Sequence, residues 1–381
     1  MKKLLFVITG LHVGGAEMML WKLCDRIDRT RFQPIVLSLM GDGVIGERLR
    51  QSGVEVHTVN MSPGRPTPAA VGRLIRKVRE IGPDLLQGWM YHGNLAAQLA
   101  NAGQKHKVPV LWNIRHCVYS LKYEKKSTAL LIAGSRWLSK KPRAIIYNTK
   151  TGAGQHEALG YSAKHRTVLP NGFDLNLFAP SEDAARTVRE ELGLPEDAFL
   201  IGLIGRYDPM KDHRNFLEAA SHLRHSNSEV HFLCAGRGVT MENPDLARWV
   251  EEFNLQGNVH LLGERNDTPR LMSALDVLTS SSYSEGFSNV IGEAMACGTP
   301  CVVTDVGDSA WIVGKHGVVV PPRDPASLAV AWQSLVSMDR AKLAELGRLS
   351  RQRVQENFSL ESIVKRYEHL YDDVLKGAHN G

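Results

Sequence analysis

Ser284-Glu285-Gly286-Phe287-Ser288-Asn289-Val290-Ile291-Gly292-Glu293, read after the apolar run Leu275 to Thr279, has the pattern of a strand, a tight glycine turn and an amphipathic helix from Asn289 to Cys297. That order aims backbone N–H groups and the positive end of a helix dipole at an anion. Glu285 falls before the turn, and Glu293 more than one helical turn into the helix. One carboxylate therefore stands beside the anion-binding amides of Phe287, Ser288, Asn289 and Val290. The other is placed to accept hydrogen bonds from hydroxyls such as those of a ribose. The spacing suits a ligand with hydroxyls on both sides of a phosphate, such as a nucleotide sugar.

Outward from this stretch, strand-like apolar runs alternate with helical patterns, the signature of parallel α/β sheets. In the first half the strands read Lys3–Thr9, Pro34–Leu39, Val54–Val59, Leu85–Gly88, Val108–Asn113 and Ala144–Asn148. In the second half they read Phe199–Ile204, Val230–Ala235, Val259–Leu262, Asp276–Ser280, Pro300–Thr304 and Val318–Val320. Helices are expected over Ala16–Arg26, Leu95–Ala102, Asn215–Arg224 and Leu360–Lys376, among others. With 381 residues, two cores are the natural expectation. The seam falls near Pro170–Pro180, where Asn, Gly, Asp and Pro break both periods. The reading is residues 1–172 as one Rossmann-like domain and 173–359 as a second.

Composition narrows the class. Hydrophobic residues make up 43% of the chain and charged residues 23%, as in a soluble globular protein. Five cysteines at 24, 117, 234, 297 and 301 form no CxxC pair, which argues against a disulfide framework or a zinc site and fits a reducing cytoplasm. The apolar run Leu4–Ile8 is too short for a signal peptide, and no stretch nears the roughly 20 residues of a membrane span. Charge is divided unevenly. Residues 1–172 carry 26 Lys and Arg against 10 Asp and Glu, a balance of +16, while residues 173–381 carry 20 against 30, a balance of −10. The basic half includes Lys122, Lys125, Lys126, Arg136, Lys140, Lys141 and Arg143 around an apolar, Trp137-bearing segment, which suits an anionic membrane surface. No recognition motif points to nucleic acid.

Four motifs in order carry a family resemblance: Gly14-Gly15-Ala16-Glu17, Pro170-Asn171-Gly172-Phe173-Asp174, Gly205-Arg206-x4-Lys211, and Glu285-x7-Glu293. Over essentially the whole chain the sequence resembles the retaining GT-B glycosyltransferases of family four, in particular those of bacterial O-antigen, capsule and exopolysaccharide synthesis. The resemblance implies two Rossmann-like domains facing a central cleft, with the last helix packed back on the first domain. It implies a catalytic set of His116, Arg206, Lys211 and Glu285, with the two cations stabilising a departing nucleoside diphosphate in place of a metal. For the donor it implies Gly14, Gly15, the Phe287–Val290 amides, Glu293 at the ribose, and Arg237 and Glu264 at the base. His92 and Asn94 are the acceptor candidates. One departure is Asp212, which follows Lys211 where the family commonly has glycine.

The implied activity is metal-independent transfer from a nucleotide sugar, a UDP-sugar, to a polyprenyl-linked saccharide, with no cofactor, in the cytoplasm at the inner face of the membrane. A UDP-sugar 2-epimerase and a non-catalytic nucleotide-sugar-binding protein share the fold. An NAD dehydrogenase does not fit, because Gly10-x3-Gly14-Gly15 is not G-x-G-x-x-G.

Overall fold

The computed structural model describes residues 1–62, 67–224, 227 and 229–379. The chain divides into two compact units, residues 1–172 with 360–381, and residues 173–359.

The first unit is a seven-stranded parallel sheet: β1 (Lys2–Ile8), β2 (Phe32–Ser38), β3 (Glu55–Thr58), β4 (Leu85–Trp89), β5 (Val110–Ile114), β6 (Ala144–Tyr147) and β7 (Arg166–Val168). Its order is β3-β2-β1-β4-β5-β6-β7. The central strands are mostly apolar because helices cover both faces, which is why β1 reads as an unbroken Leu4–Ile8 run with every residue buried. The second unit repeats the design with β8 (Phe199–Ile204), β9 (Val230–Ala235), β10 (Val259–Leu261), β11 (Val277–Ser280), β12 (Cys301–Thr304) and β13 (Val318–Val320), ordered β10-β9-β8-β11-β12-β13. In each sheet the order reverses once, between β1 and β4 and between β8 and β11. Such a reversal leaves a crevice at the carboxyl ends of the strands, where open α/β sheets take their ligands.

Three sequence expectations need adjusting. The edge strand β7 was not foreseen, since Arg166-Thr167-Val168 is short and exposes Arg166. The helix expected from Leu95 begins at Met90, directly on the end of β4, so His92 lies inside its first turn. The strand before the diagnostic turn starts at Val277, because the helix Thr268–Ala274 ends immediately upstream and Leu275 caps it.

The last helix, Leu360–His379, belongs to the first unit. Ile363, Val364, Tyr367, Tyr371 and Leu375 are buried in the core that contains Phe6 and Phe32. Tyr371 Oη donates to Gln87 Oε1 at 2.7 Å, and Asn113 Nδ2 donates to Tyr367 Oη at 2.9 Å. None of the five cysteines forms a disulfide.

Candidate active site

In the second unit, β8 and β11 bring the diagnostic residues to one crevice. After β8 the chain runs through Gly205 and Arg206 into a short 3-10 turn, Pro209–Lys211. Asp208 caps that turn by accepting from Met210 N at 3.0 Å. Lys211 Nζ then meets Glu285 Oε1, which follows β11, at 2.5 Å. Ser282 Oγ donates to the same carboxylate oxygen at 2.9 Å. The two loops are further joined by Tyr283 N to Met210 O at 3.0 Å and by Ser281 Oγ to Lys211 O at 2.8 Å. Lys211 and Glu285 are 24% and 16% exposed, so the pair is shielded but still open to the crevice. Arg206 is more open, and its guanidinium is braced by Asp208 Oδ2 at 2.9 Å.

Asp212 closes the Lys211 turn at φ +52°, in the left-handed region that favours glycine. The turn is thus the one a glycine would make, and aspartate occupies it while its Oδ1 accepts from Asn215 N at 3.3 Å. Burial raises the Asp212 carboxyl above its ordinary range. His213, next in the chain, is buried, and its imidazole is pushed down to about 4 by desolvation, with the Lys211 charge adding to the effect.

The helix after the glycine turn spans Asn289–Ala296, with Ser288 at its N-cap. Its first N–H groups have no partner within the helix. The Ser288 Oγ is buried without a hydrogen-bond partner among the described residues, so the N-cap hydroxyl is not spent on the helix itself. The Phe287 ring is committed to the core, stacked on Phe173 at 6.1 Å and edge-on to Trp311 at 6.4 Å, which leaves its backbone as the group a donor could meet. Gly307 at φ +54° lies so close under the turn that a Cβ there would overlap the Glu285 and Gly286 carbonyls. Asp308 N donates to Gly286 O at 3.0 Å from the same loop. Beside the β8 end, Arg206, Arg237 and Glu264 share a cavity of about 310 Å³ with Gly236, Arg265 and Thr268. Arg265 is saturated by Asp267 and Glu191, which makes it a wall more than a free donor.

In the first unit, Gly14 caps the helix Gly15–Arg26 after β1. Trp89 Nε1 at the end of β4 donates to Ala16 O at 3.0 Å, fastening that turn to the neighbouring strand end. His116 follows β5 and is 38% exposed, with Nε2 2.8 Å from Glu124 Oε1. Arg115 lies half-buried over the Trp89 ring at 5.3 Å and is bonded to Tyr367 and Asn171, so it is a structural cation. His92 is exposed. Asn94, the other acceptor candidate, is turned to the interior. It is 1% exposed, and its carboxamide is spent on β5, giving Nδ2 to Asn113 O at 3.2 Å and taking Asn113 N on Oδ1 at 3.0 Å. Glu124, Ser282 and Asp208 were missed in the sequence because each acts through a loop partner that no periodicity marks. No group of three or more His, Cys, Asp or Glu among the described residues is placed to hold a metal ion.

Two family models match side by side: the one described as Glycosyltransferase Family 4 over residues 13–177, and the one described as Glycosyl transferases group 1 over residues 198–338. The chain belongs to the group 1, family 4 glycosyltransferases. EpsF of Bacillus subtilis (strain 168), named as a glycosyltransferase, is 28% identical to this glycosyltransferase over 318 residues, 80% of this chain and 79% of EpsF. An Escherichia coli protein named UDP-Gal:alpha-D-GlcNAc-diphosphoundecaprenol alpha-1,3-galactosyltransferase is 29% identical over 213 residues, 55% of this chain. That match spans about half, 54%, of the galactosyltransferase's own length. Among solved structures, HepE of Anabaena in complex with UDP superimposes with a TM-score of 0.83 at 24% identity, covering 98% of this chain and 100% of HepE. At that identity the likeness speaks for the fold, which is GT-B with two parallel-sheet Rossmann-like domains.

Proposed function

We propose that this glycosyltransferase moves a sugar from a UDP-sugar to a polyprenyl-diphosphate-linked saccharide, with retention and without a metal or other cofactor, in surface polysaccharide synthesis. The observation that carries the reading is the Lys211–Glu285 pair at the β8–β11 crevice, beside the N-terminus of the helix Asn289–Ala296. Lys211 and Arg206 would meet the diphosphate and take up the charge that grows as it leaves, a stabilisation strongest in the transition state. Glu285 would hold the sugar hydroxyls and Glu293 the ribose. The cavity bearing Arg237 and Glu264 would take the uracil, and His116 would contact the donor sugar. No side chain stands out as a nucleophile, so same-face attack assisted by the departing phosphate is favoured over a covalent intermediate. The UDP held by HepE and the named substrates of the galactosyltransferase support this choice of donor and acceptor.

The test is transfer from a panel of UDP-sugars to a lipid-linked acceptor with chelator present, the product anomer being read by NMR. Retention with turnover within about twofold of the chelator-free rate is the expected result. Inversion, or rescue by Mn²⁺ alone, would overturn the mechanism.

We further propose that the first unit rests on an anionic membrane surface. In the helix Lys126–Leu138, Ile132 and Ser135 are buried while Leu130 and Trp137, seven residues apart on one face, are 76% and 69% exposed. Lys125, Lys126, Lys140 and Lys141 are exposed around them. An apolar stripe rimmed by lysines suits a leaflet interface, gaining about 1 kcal/mol per basic residue. No described helix is long and apolar enough to cross a membrane, so the attachment would be peripheral, at the inner face. Charge reversal of the four lysines should release the protein from anionic vesicles and leave UDP-sugar affinity unchanged. A wild-type protein that fails to sediment with such vesicles at low salt would sink this part of the reading.

A further inference from the structure

His116 is gripped from two sides, and each grip is built from residues outside the donor and acceptor candidates. On one side Glu124 Oε1 lies 2.8 Å from Nε2. An ionised carboxylate can only accept, so Nε2 carries the hydrogen whether the ring is neutral or charged. In the neutral ring, Nδ1 is then the acceptor. Glu124 is 18% exposed, and a partly desolvated, charge-assisted bond of this kind is among the stronger ones. On the other side the Tyr91 ring meets the imidazole edge to face, with centroids 6.2 Å apart and planes at 82°.

Tyr91 cannot drift, because its hydroxyl is tied down in turn. His156 Nδ1 is 2.7 Å from Gly152 O, a carbonyl that can only accept, so Nδ1 carries the hydrogen. Burial pushes His156 down to about 4, which keeps it neutral. Its Nε2 is therefore a lone pair, and Tyr91 Oη donates to it at 2.7 Å. The same helix, Lys150–Ala158, supplies Gln155, whose Oε1 accepts from Val118 N at 2.8 Å and so holds the chain two residues beyond His116.

We infer that Glu124 is a positioning residue for transfer, locking His116 as the Nε2–H tautomer so that Nδ1 is presented as a hydrogen-bond acceptor to a hydroxyl of the donor sugar. Tyr91 fixes the plane of the ring. The catalytic consequence rests on the proposed contact between His116 and the donor; the tautomer lock does not.

The experiment labels the histidines with ¹⁵N in the full-length protein, assigns His116 by its loss in His116→Ala, and reads its tautomer in wild type and in Glu124→Gln. Glutamine keeps the shape of the side chain but can donate as well as accept. The wild type should show the Nε2–H tautomer, and Glu124→Gln a mixture. In the same variant kcat should fall roughly tenfold or more, as when an orienting carboxylate is lost behind a histidine. The donor KM should stay within about twofold and the melting temperature within about 2 °C, since a neutral isostere in a loop perturbs stability little. An Nδ1–H signal in the wild type, or an unchanged tautomer in Glu124→Gln, overturns the lock. A tautomer locked in the wild type and mixed in Glu124→Gln, with wild-type kcat in that variant while His116→Ala is impaired, overturns the positioning role alone. If His116→Ala also turns over normally, the placement of His116 at the donor falls instead.

Discussion

Lys211 and Glu285 illustrate why paired charges at a ligand site are read through turnover and not through stability. At 2.5 Å and three-quarters or more shielded, each satisfies the other, and under the proposed function a donor would redistribute the bonds. Lys211→Ala should lower kcat by roughly 100-fold, the scale for removing one preorganised group facing transition-state charge. UDP-sugar affinity should change much less, and calorimetry beside single-turnover kinetics separates the two. Glu293→Ala should instead weaken UDP binding itself, by about 1.5–3 kcal/mol for a lost charged acceptor; an affinity within about twofold of wild type removes Glu293 from the site. Two histidines buried among the described residues act on stability. His156 and His213 both sit near 4 when folded against an ordinary 6.5. The unfolded chain therefore takes up protons first as pH falls, so their contribution is complete above 6.5 and is lost toward 4. Lowering the pH from 7 to 5 should cost roughly 2 kcal/mol per histidine. Urea unfolding at both pH values checks this, and His156→Gln should flatten the slope by its share.

At the scale of elements, the helix Asn289–Ala296 is set in place by an absence. Gly292 has no room for a Cβ, which would overlap the Phe173 ring, and Phe173 in turn stacks on Phe287 at the turn. Helix propensity alone favours alanine over glycine by about 1 kcal/mol. Overpacking outweighs it here, and Gly292→Val should destabilise the second unit by about 1–3 kcal/mol, measured by denaturant unfolding. If the variant is as stable as wild type, Gly292 is not holding the helix against Phe173. The sequence showed the Gly286 turn, the helix that holds Gly292 and the Phe173 motif as separate signals. Their mutual packing needed coordinates, because residues 173 and 292 are brought together only by the folded second core. The same holds for Asn94. The resemblance made it an acceptor candidate, and only the tertiary structure showed its amide spent on the β5 backbone.

At the scale of the molecule, the helix Leu360–His379 completes a core begun more than 300 residues earlier. Tyr367 and Tyr371 are fully buried there, and Glu368 Oε1 accepts from Asp28 N at 2.8 Å. Deleting residues 360–381 should abolish the cooperative unfolding of the first unit and leave that of the second, two transitions becoming one in calorimetry. Two surviving transitions would show that the helix is an accessory. What the sequence determined by itself was local: alternation of buried strands and amphipathic helices, hence two parallel sheets, and the motifs that name the family. These are legible because strand runs buried on both faces and glycine turns are written in neighbouring residues. The tertiary structure alone decided the order of the strands, the edge strand β7, which polar side chains are spent internally, and the Glu124–His116–Tyr91–His156 chain of contacts. Those depend on which distant segments share a core, and packing of that kind leaves no period in the sequence to read.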